Sequence, residues 1–178
     1  MGVFVPLGHP LAFPERTLYN VGGAAMVTRV ISGGQTGVDR AALDVALERR
    51  LPCGGWCPKG RKAEEGPIDA RYPLTETPSE DYALRTEWNV RDAEGTLILS
   101  RGELTGGTAQ TIEAATRLGK PYLVLDLSTQ PAVSVVRTWV RQHRIHVLNI
   151  AGPRESKCPG IYLQAVGFLR RVFDEAHH

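Results

Sequence analysis

The sequence has few cysteines, little excess charge and no long apolar run, and each shortage excludes a class of protein. Its 178 residues include an odd number of cysteines, namely Cys53, Cys57 and Cys158, so a disulfide framework is not the basis of the fold. No run reaches the roughly 18–20 apolar residues that a membrane-spanning helix needs, so we expect no membrane association. The formal net charge of +2 gives no electrostatic basis for nucleic-acid binding.

Signals for secretion and for a metal site are also missing. The N-terminus lacks a basic region followed by an apolar core, so no signal peptide is predicted and we expect a cytoplasmic protein. Cys53 and Cys57 have no histidine or third cysteine at zinc-ligand spacing nearby, and no metal site is predicted. Ligation of a soft metal by these thiols is the remaining alternative.

Glycine and proline are abundant by contrast. The 19 glycines and 12 prolines make up about 17% of the chain, against roughly 12% in ordinary proteins. A hydrophobic share of 42% is enough for a packed core. Glycines gathered into loops allow the backbone to approach a ligand closely, so the glycine-rich segments are the first candidates for a functional site.

The first residues differ in composition from the rest. Residues 1–25 are rich in proline and glycine and carry only two charged side chains, while Met26 directly precedes the first regular segment. We interpret residues 1–25 as an N-terminal extension, either a leader before the true start or an arm that packs on the domain or on a neighbouring subunit. Residues 26–178 are predicted to form a single ligand-binding domain. Whether His177 and His178 are native is left open.

From Val27 onward, short apolar runs alternate with segments of helical periodicity. The predicted strands are 27–31, 96–100, 122–126 and 145–150. The predicted helices are 38–50, 79–92, 108–118, 131–143 and 160–175, with little periodicity from 52 to 78. Continuous apolar strands that alternate with helices are typical of a parallel sheet covered on both faces. The predicted fold class is therefore α/β, Rossmann-like and doubly wound, with a mostly parallel sheet.

A glycine-rich loop joins the first predicted strand to the first helix. Backbone N–H groups and the helix dipole converge at such a position and favour an anion. The loop is neither a Walker A loop nor a dinucleotide fingerprint, because the lysine and the glycine spacing that these require are absent. A tight turn that needs its glycines only for geometry is the alternative. The candidate ligand-binding residues of this loop are Gly33, Gly34, Gln35, Thr36 and Gly37.

A second glycine pair, Gly106 and Gly107, follows the strong strand at 96–100 and opens the next helix. Two such loops at strand ends are what a ligand in the crevice of a sheet requires. Thr108 is a candidate phosphate donor or, alternatively, a helix cap. Glu113 lies in the second turn of the same helix, where it either reaches a ligand held by the loop or is a solvated side chain.

Further candidates lie in three segments outside the glycine loops. Lys59 and Arg61 can neutralise an anion and Trp56 can stack on a flat ring, unless the segment is a solvated loop with a buried tryptophan. Arg85 and Asn89 are four residues apart on one helix and share a face, whereas Tyr82 and Trp88 are assigned to the core. After the last strand, the candidates for anion contact are Arg154 and Ser156, the latter alternatively a turn residue.

Five ordered motifs together resemble the molybdenum cofactor carrier protein family, which is Rossmann-like and related to the lysine-decarboxylase-like phosphoribohydrolases. They are Ser-Gly-Gly-Gln-Thr-Gly-Val-Asp-Arg-Ala (32–41), Gly-Gly-Trp-Cys-Pro-Lys-Gly-Arg (54–61), Arg-Thr-Glu-Trp-Asn-Val (85–90), Gly-Gly-Thr (106–108) and Asn-Ile-Ala-Gly-Pro-Arg-Glu-Ser (149–156). The resemblance spans about residues 26–172. It implies a homo-oligomer, dimeric or tetrameric, that binds molybdenum cofactor and either protects it or delivers it, with molybdoenzymes as the expected recipients. The glycine loops would then hold the phosphate of this pterin, Lys59 and Arg61 would counter its anionic molybdenum–dithiolene head, and Trp56 would cover the ring.

An enzyme is the rival interpretation of the same resemblance. The related phosphoribohydrolases carry Pro-Gly-Gly-x-Gly-Thr-x-x-Glu and cleave the base from a nucleoside monophosphate. In residues 105–113 both early glycines and Glu113 match, but the proline, the third glycine and the threonine are replaced by Thr105, Ala109 and Gln110. Glu113 and Arg85 are the catalytic candidates under this alternative. A nucleotide-sensing module without turnover is a third possibility, and carriage is favoured over hydrolysis.

Overall fold

The structure is a computed structural model that describes residues 27–104 and 106–174. The predictions made for residues 1–25, for Thr105 and for His177 and His178 lie outside the described residues. In chain order the strands are β1 (Arg29–Ile31), β2 (Cys53–Gly54), β3 (Trp56–Cys57), β4 (Lys62–Ala63), β5 (Gly66–Pro67), β6 (Thr75–Glu76), β7 (Gly95–Ser100), β8 (Tyr122–Asp126) and β9 (Val147–Ala151). The helices are α1 (Val38–Glu48), α2 (Tyr82–Asp92), α3 (Gly107–Arg117), α4 (Val133–Gln142) and α5 (Ile161–Val172).

Five of these strands form one parallel sheet in the order β2-β1-β9-β7-β8. The last strand of the chain, β9, lies between β1 and β7, and all six residues of β7 are buried. Helix α1 leaves β1 toward β2 and helix α3 leaves β7 toward β8, so the connections diverge on either side of β9. This divergence is the topological switch point at which α/β sheets bind ligands. The predicted α/β Rossmann-like fold is confirmed.

The helices form separate layers around this sheet. Helices α1 and α4 both pack on α5, and their apolar residues share one large buried cluster with Val30, Leu97 and Leu148 of the sheet. Helix α2 packs on α3 around Val90 and Ala115. None of the helices in the described part of the chain is long and apolar enough to cross a membrane.

Helix α2 begins later than its sequence pattern predicts. Ser79 lies before the helix, and its hydroxyl accepts a hydrogen bond from the N–H of Asp81 at 3.0 Å. Asp81 instead has an extended backbone and accepts from the N–H of Ala83 at 2.9 Å, which makes it the N-cap. An aspartate in this position satisfies one of the free donors of the first turn, and the helix runs from Tyr82.

Gly167 offers a test of the helix propensity of α5. It lies in the interior of this helix on an exposed face, and a Cβ built on it meets no atom within 4 Å. We expect Gly167→Ala to raise the free energy of unfolding by about 0.5–1 kcal/mol, because alanine loses less backbone entropy on folding. Urea unfolding measures the change. In the control Gly152→Ala, the new Cβ would lie 2.2 Å from the carbonyl oxygen of Leu99, so this variant must lose stability. Equal changes in the free energy of unfolding for Gly167→Ala and Gly152→Ala would contradict the prediction.

Candidate functional site

Three loops meet at the carboxyl edge of the sheet. The loop after β9 lies between the two glycine loops, as its strand lies between β1 and β7. The N–H of Val38 at the start of α1 donates to the carbonyl oxygen of Pro153 at 3.3 Å. Pro153 also lines a small cleft of about 50 Å³ together with Ser100 and Thr108 from the other side. The two glycine loops therefore belong to one continuous edge.

The first glycine loop is buried and its polar groups are largely used within the fold. The N–H of Gln35 donates to Asp39 Oδ2 at 3.3 Å, and the N–H of Thr36 donates to Gln35 Oε1 at 3.0 Å. Gly34 has a φ of 76°, and a Cβ on it would lie 2.4 Å from Leu74. Gly37, with a φ of 79°, would meet the carbonyl oxygen of Pro153 at 2.3 Å. The geometric explanation of the glycines therefore holds for Gly34 and Gly37, and this loop forms a wall of the site.

The second glycine loop is open. Gly106 is the N-cap of α3 with a φ of 56° and no side-chain cap, and both Gly106 and Gly107 are exposed. A Cβ on either glycine meets no atom within 4 Å. Thr108 is buried, and Thr111 donates to the carbonyl oxygen of Gly107 at 2.8 Å. The amino end of α3 thus presents its first N–H groups and the positive end of its dipole at the surface.

Three cations surround one aromatic ring beside these loops. The Nζ of Lys62 lies 5.5 Å from the ring centroid of Tyr82, and the guanidinium carbons of Arg85 and Arg154 lie 5.6 and 5.2 Å from it. These residues come from β4, from α2 and from the loop after β9. The sequence pattern assigns Tyr82 to the core, but the ring is half-buried and lies between the cations. We call Lys62, Tyr82, Arg85 and Arg154 the cationic cluster.

A buried ion pair anchors the cationic cluster to the first glycine loop. Arg85 Nη1 lies 3.2 Å from Asp39 Oδ2, and the two side chains are only 13% and 4% exposed. Burial raises the pKa of Asp39, and the nearby Arg85 guanidinium offsets part of that rise. Gly33 permits this approach, because a Cβ there would lie 2.0 Å from Arg85 Nη1.

Two buried donors at this place have no hydrogen-bond partner within the described structure. They are Nε of Arg85 and Nε2 of Gln35. The Gln35 amide is oriented by its other end, since Oε1 accepts the N–H groups of Thr36 and Glu64, each at 3.0 Å. Unsatisfied buried donors are rare in folded proteins, so these two mark a place where an acceptor of a ligand can bind.

Asn89 and Trp56 are brought together, but within the fold. Asn89 Oδ1 accepts the N–H of Trp56 at 2.7 Å and its Nδ2 donates to the carbonyl of the same residue at 2.9 Å. The indole of Trp56 is 6% exposed, packs edge-on against Trp88 at 4.7 Å and donates to Asp92 at 2.7 Å. The buried-tryptophan alternative therefore describes the position of Trp56, and its predicted cover over a pterin does not fit this burial.

The cations predicted from the 54–61 motif lie in different surroundings. The Arg61 guanidinium donates to four backbone carbonyls, those of Ile68, Asp69, Tyr72 and Leu74, at 2.8–3.3 Å. It therefore holds the segment between β4 and β6 in place. Lys59 is exposed. Lys62, which no sequence pattern separates from its neighbours, is the cation of this run that reaches the cationic cluster.

Arg154 and Ser156 lie at the edge as predicted, and both contact Glu64. Ser156 Oγ donates to Glu64 Oε2 at 2.5 Å, and Arg154 Nη1 lies 3.8 Å from the same oxygen. Glu113, by contrast, is exposed on α3. A larger groove of about 220 Å³ lies away from these residues, between the 127–131 segment and α5. It contains neither glycine loop nor any residue of the cationic cluster, so we do not place the ligand there.

The Asn89 contacts predict a large cost on substitution. We expect Asn89→Ala to lower the free energy of unfolding by about 2–4 kcal/mol, because it leaves a buried N–H and a buried carbonyl of Trp56 without partners. Denaturant unfolding measures the loss. Gln142→Ala, at an exposed position at the end of α4, is the control and should change stability little. A loss no larger than that of the control would show that the Asn89 amide is dispensable.

The comparisons with known proteins agree with this architecture. A family model described as "Circularly permutated YpsA SLOG family" matches residues 30–173. The chain is also similar to the crystal structure of the "Putative molybdenum carrier protein" of Syntrophus aciditrophicus SB, with 46% sequence identity and a TM-score of 0.81. That similarity covers 85% of this chain and 97% of the other. No curated protein matches the sequence.

Proposed function

The chain belongs to the circularly permutated YpsA SLOG family, and we propose that it carries a phosphorylated cofactor of the molybdenum cofactor class. Family membership and the similar molybdenum carrier protein support a role in binding a nucleotide or cofactor. The observation that carries the finer proposal is the cationic cluster of Lys62, Arg85 and Arg154 around Tyr82. The loop that carries Arg154 also lines, through Pro153, the cleft at Thr108 near the open amino end of α3. This arrangement suits a ligand with two anionic ends and a flat ring.

The residues present fit such a ligand. Molybdenum cofactor is a pterin with a terminal phosphate at one end and a molybdenum–dithiolene head at the other. Gly106, Gly107 and Thr108 would hold the phosphate, because a helix amino end without a side-chain cap favours an anion. The cations around Tyr82 would hold the second anionic group, and the buried donors of Gln35 and Arg85 are available to its oxygens.

Carriage is favoured over hydrolysis by the departures of residues 105–113 from the phosphoribohydrolase motif, in which the third glycine and the threonine are replaced by Ala109 and Gln110. A catalytic carboxylate has to reach the reacting bond of a bound substrate. Glu113 keeps the carboxylate of that motif and is exposed on α3. A nucleoside monophosphate would use the same phosphate position, so base release from a nucleotide panel, lost in Glu113→Gln, would support the hydrolase instead. The dimer or tetramer and the molybdoenzyme recipients remain predictions.

The test compares ligand retention by variants of two lysines from the same run. We expect the purified protein to retain a pterin and molybdenum, detected by absorbance and elemental analysis. Lys62→Ala should lower the affinity for the cofactor about tenfold, as the loss of one charge-assisted contact does. Lys59→Ala is the matched control, because Lys59 is an exposed lysine three residues away, and it should leave the affinity unchanged.

The same experiment shows whether the ligand lies near Lys59, as the sequence motif predicts, or near Lys62, as the cationic cluster indicates. If Lys59→Ala weakens retention and Lys62→Ala does not, the motif places the ligand correctly and the cationic cluster does not bind it. If wild-type protein retains neither pterin nor molybdenum, and reconstitution with the cofactor fails, carriage is refuted. Arg154→Ala should repeat the effect of Lys62→Ala, because both side chains contact the Tyr82 ring from different elements.

A further inference from the structure

The carboxylate of Glu64 is held like a bound anion at the carboxyl edge of the sheet. Glu64 and Glu65 form the turn of the β4–β5 hairpin. Glu64 accepts hydrogen bonds from the hydroxyl of Thr36, from the hydroxyl of Ser156 at 2.5 Å and from the N–H of Ser156 at 3.3 Å. Arg154 Nη1 lies 3.8 Å away, and the Glu64 side chain is 19% exposed. One carboxylate thus takes up donors from two separate loops.

These donors are the kind that bind phosphate oxygens. Two hydroxyls, one backbone N–H and one guanidinium form the set, and it lies where the loops after β1 and β9 meet. Thr36 is itself oriented, because its Oγ1 accepts the N–H of Glu155 at 3.2 Å and is therefore left to donate toward Glu64. Backbone N–H groups, hydroxyls and arginine together are a common oxyanion-binding arrangement.

The lowered pKa of Glu64 agrees with a site that favours an anion. Burial acts to raise the pKa of Glu64, but the hydrogen bonds from Ser156 and Thr36 and the charge of Arg154 outweigh it and lower the pKa. The donors therefore prefer a negative charge at this position. A turn that served only to connect β4 to β5 would not need four donors around its carboxylate.

The buried amide of Gln35 is a second, independent observation. Gln35 is 5% exposed, and its Oε1 accepts the N–H of Glu64 at 3.0 Å, so the amide lies against this turn. Its Nε2 is buried without a partner within the described structure. The orientation of the amide is fixed, because the two N–H groups that meet it require an acceptor at Oε1. The Nε2 of Gln35 is therefore a donor next to this turn that Glu64 does not satisfy.

We propose that Thr36, Ser156, Arg154 and the Gln35 amide form a binding site for an oxyanion of the phosphate type, in which Glu64 is a resident substitute that the ligand displaces. The inference extends the proposed function, because it assigns a place to the second anionic group of the cofactor. Displacement swings the β4–β5 hairpin, which also carries Lys62 of the cationic cluster. Glu64 then keeps the site closed until an anion with more acceptor oxygens enters.

The experiment titrates inorganic phosphate at constant ionic strength and measures the dissociation constant by calorimetry. Glu64→Ala should bind phosphate at least tenfold more tightly than the wild type, because the resident carboxylate is gone. Glu64→Gln, which keeps the shape and removes the charge, should gain less. Glu65→Ala is the matched control, because this neighbouring carboxylate pairs with Arg40 at 2.6 Å outside the site, and it should gain nothing. Thermal unfolding of each variant checks that the hairpin substitution leaves the domain folded.

Two further variants separate this inference from the proposed function. Ser156→Ala in the Glu64→Ala background should reverse most of the gain, since it removes a hydroxyl donor. The gain should persist in Gly107→Asp, in which the amino end of α3 is blocked. Equal phosphate affinity of wild type, Glu64→Ala and Glu64→Gln would overturn the inference while leaving cofactor carriage standing. A gain in Glu64→Ala without any retention of pterin would support the anion site and refute the carriage.

Discussion

Replacement of Arg85 with methionine should lower the free energy of unfolding by about 3–5 kcal/mol, because it leaves a buried carboxylate without its cation. Asp39 is 4% exposed, and its Oδ2 receives both Arg85 Nη1 at 3.2 Å and the N–H of Gln35 at 3.3 Å. Methionine fills much of the volume of the arginine stem, so the loss reports mainly on charge. Urea unfolding at neutral pH measures it.

The loss should depend on pH in a defined direction. Burial raises the pKa of Asp39 above its ordinary value of 3.8, and Arg85 opposes the rise. A raised pKa means that the folded state binds the proton more tightly than the unfolded state does. Stability from this group is therefore greatest below the unfolded pKa and falls as the pH rises toward the folded pKa. Without Arg85 the folded pKa rises further, so the deficit of the variant should be smallest below about pH 4 and grow above it.

Two controls isolate the buried charge. Arg117→Met removes the cation of an exposed pair, in which Arg117 and Glu87 are 60% and 40% exposed, and it should change stability little because solvent screens such pairs. Asp39→Asn in the Arg85→Met background should restore part of the stability, since it removes the stranded charge and keeps a polar group of the same shape. A flat pH profile for Arg85→Met, with no restoration by Asp39→Asn, would contradict the ion-pair explanation.

The parts of the fold that the sequence predicts are those with a long pattern. The six-residue strand β7 and the helix α1 carry enough apolar positions to be recognised, and the structure places both close to the predicted bounds. β2 and β3 have two residues each, which is too short for any periodicity. β2 exists because its backbone pairs with β1 through Val30 and Ile31. Its position depends on tertiary contacts that no local pattern contains.

The candidate site divides in the same way. Both glycine loops and Arg154 lie at one sheet edge, as expected from strands that end together. Sequence alone does not say which neighbour in a basic run faces the cationic cluster. Arg61 has a φ of 54° and donates into its own segment, and the chain then enters β4, from which Lys62 reaches Tyr82. The backbone turn at Arg61 therefore determines that Lys62, and not Arg61, lies at the cationic cluster.

The contrast between the two glycine loops has a physical consequence. The first is closed over by Leu74 and Pro153 and needs its glycines to pack, so substitutions there mix folding with binding. In the second loop, a Cβ on Gly107 meets nothing within 4 Å, so a substitution at Gly107 should affect the proposed ligand and not the packing, whereas any side chain on Gly106 is strained by its φ of 56°. Gly34→Asp is for this reason a poor test of phosphate binding, and Gly107→Asp is a clean one.

Gly107→Asp should lower the affinity for the phosphorylated cofactor about 100-fold, because a carboxylate would stand where the ligand phosphate is proposed to bind and like charges in contact cost several kcal/mol. Folding should be preserved, since Gly107 is the first residue of α3 and an acidic residue there is favourable to the helix dipole. Cofactor retention on gel filtration and equilibrium binding with reconstituted cofactor both measure the loss.

Two matched variants determine what a loss in Gly107→Asp means. Gly107→Ala adds a Cβ in open space without charge and should retain the cofactor, so a loss in this variant would point to backbone geometry. Gly167→Asp makes the same substitution on the exposed face of α5 and should also retain it, which controls for the added net charge. If Gly107→Asp binds as tightly as Gly167→Asp, the amino end of α3 does not hold the phosphate. The phosphate would then have to bind elsewhere, either at the cationic cluster around Tyr82 or at the proposed oxyanion site of Thr36 and Ser156.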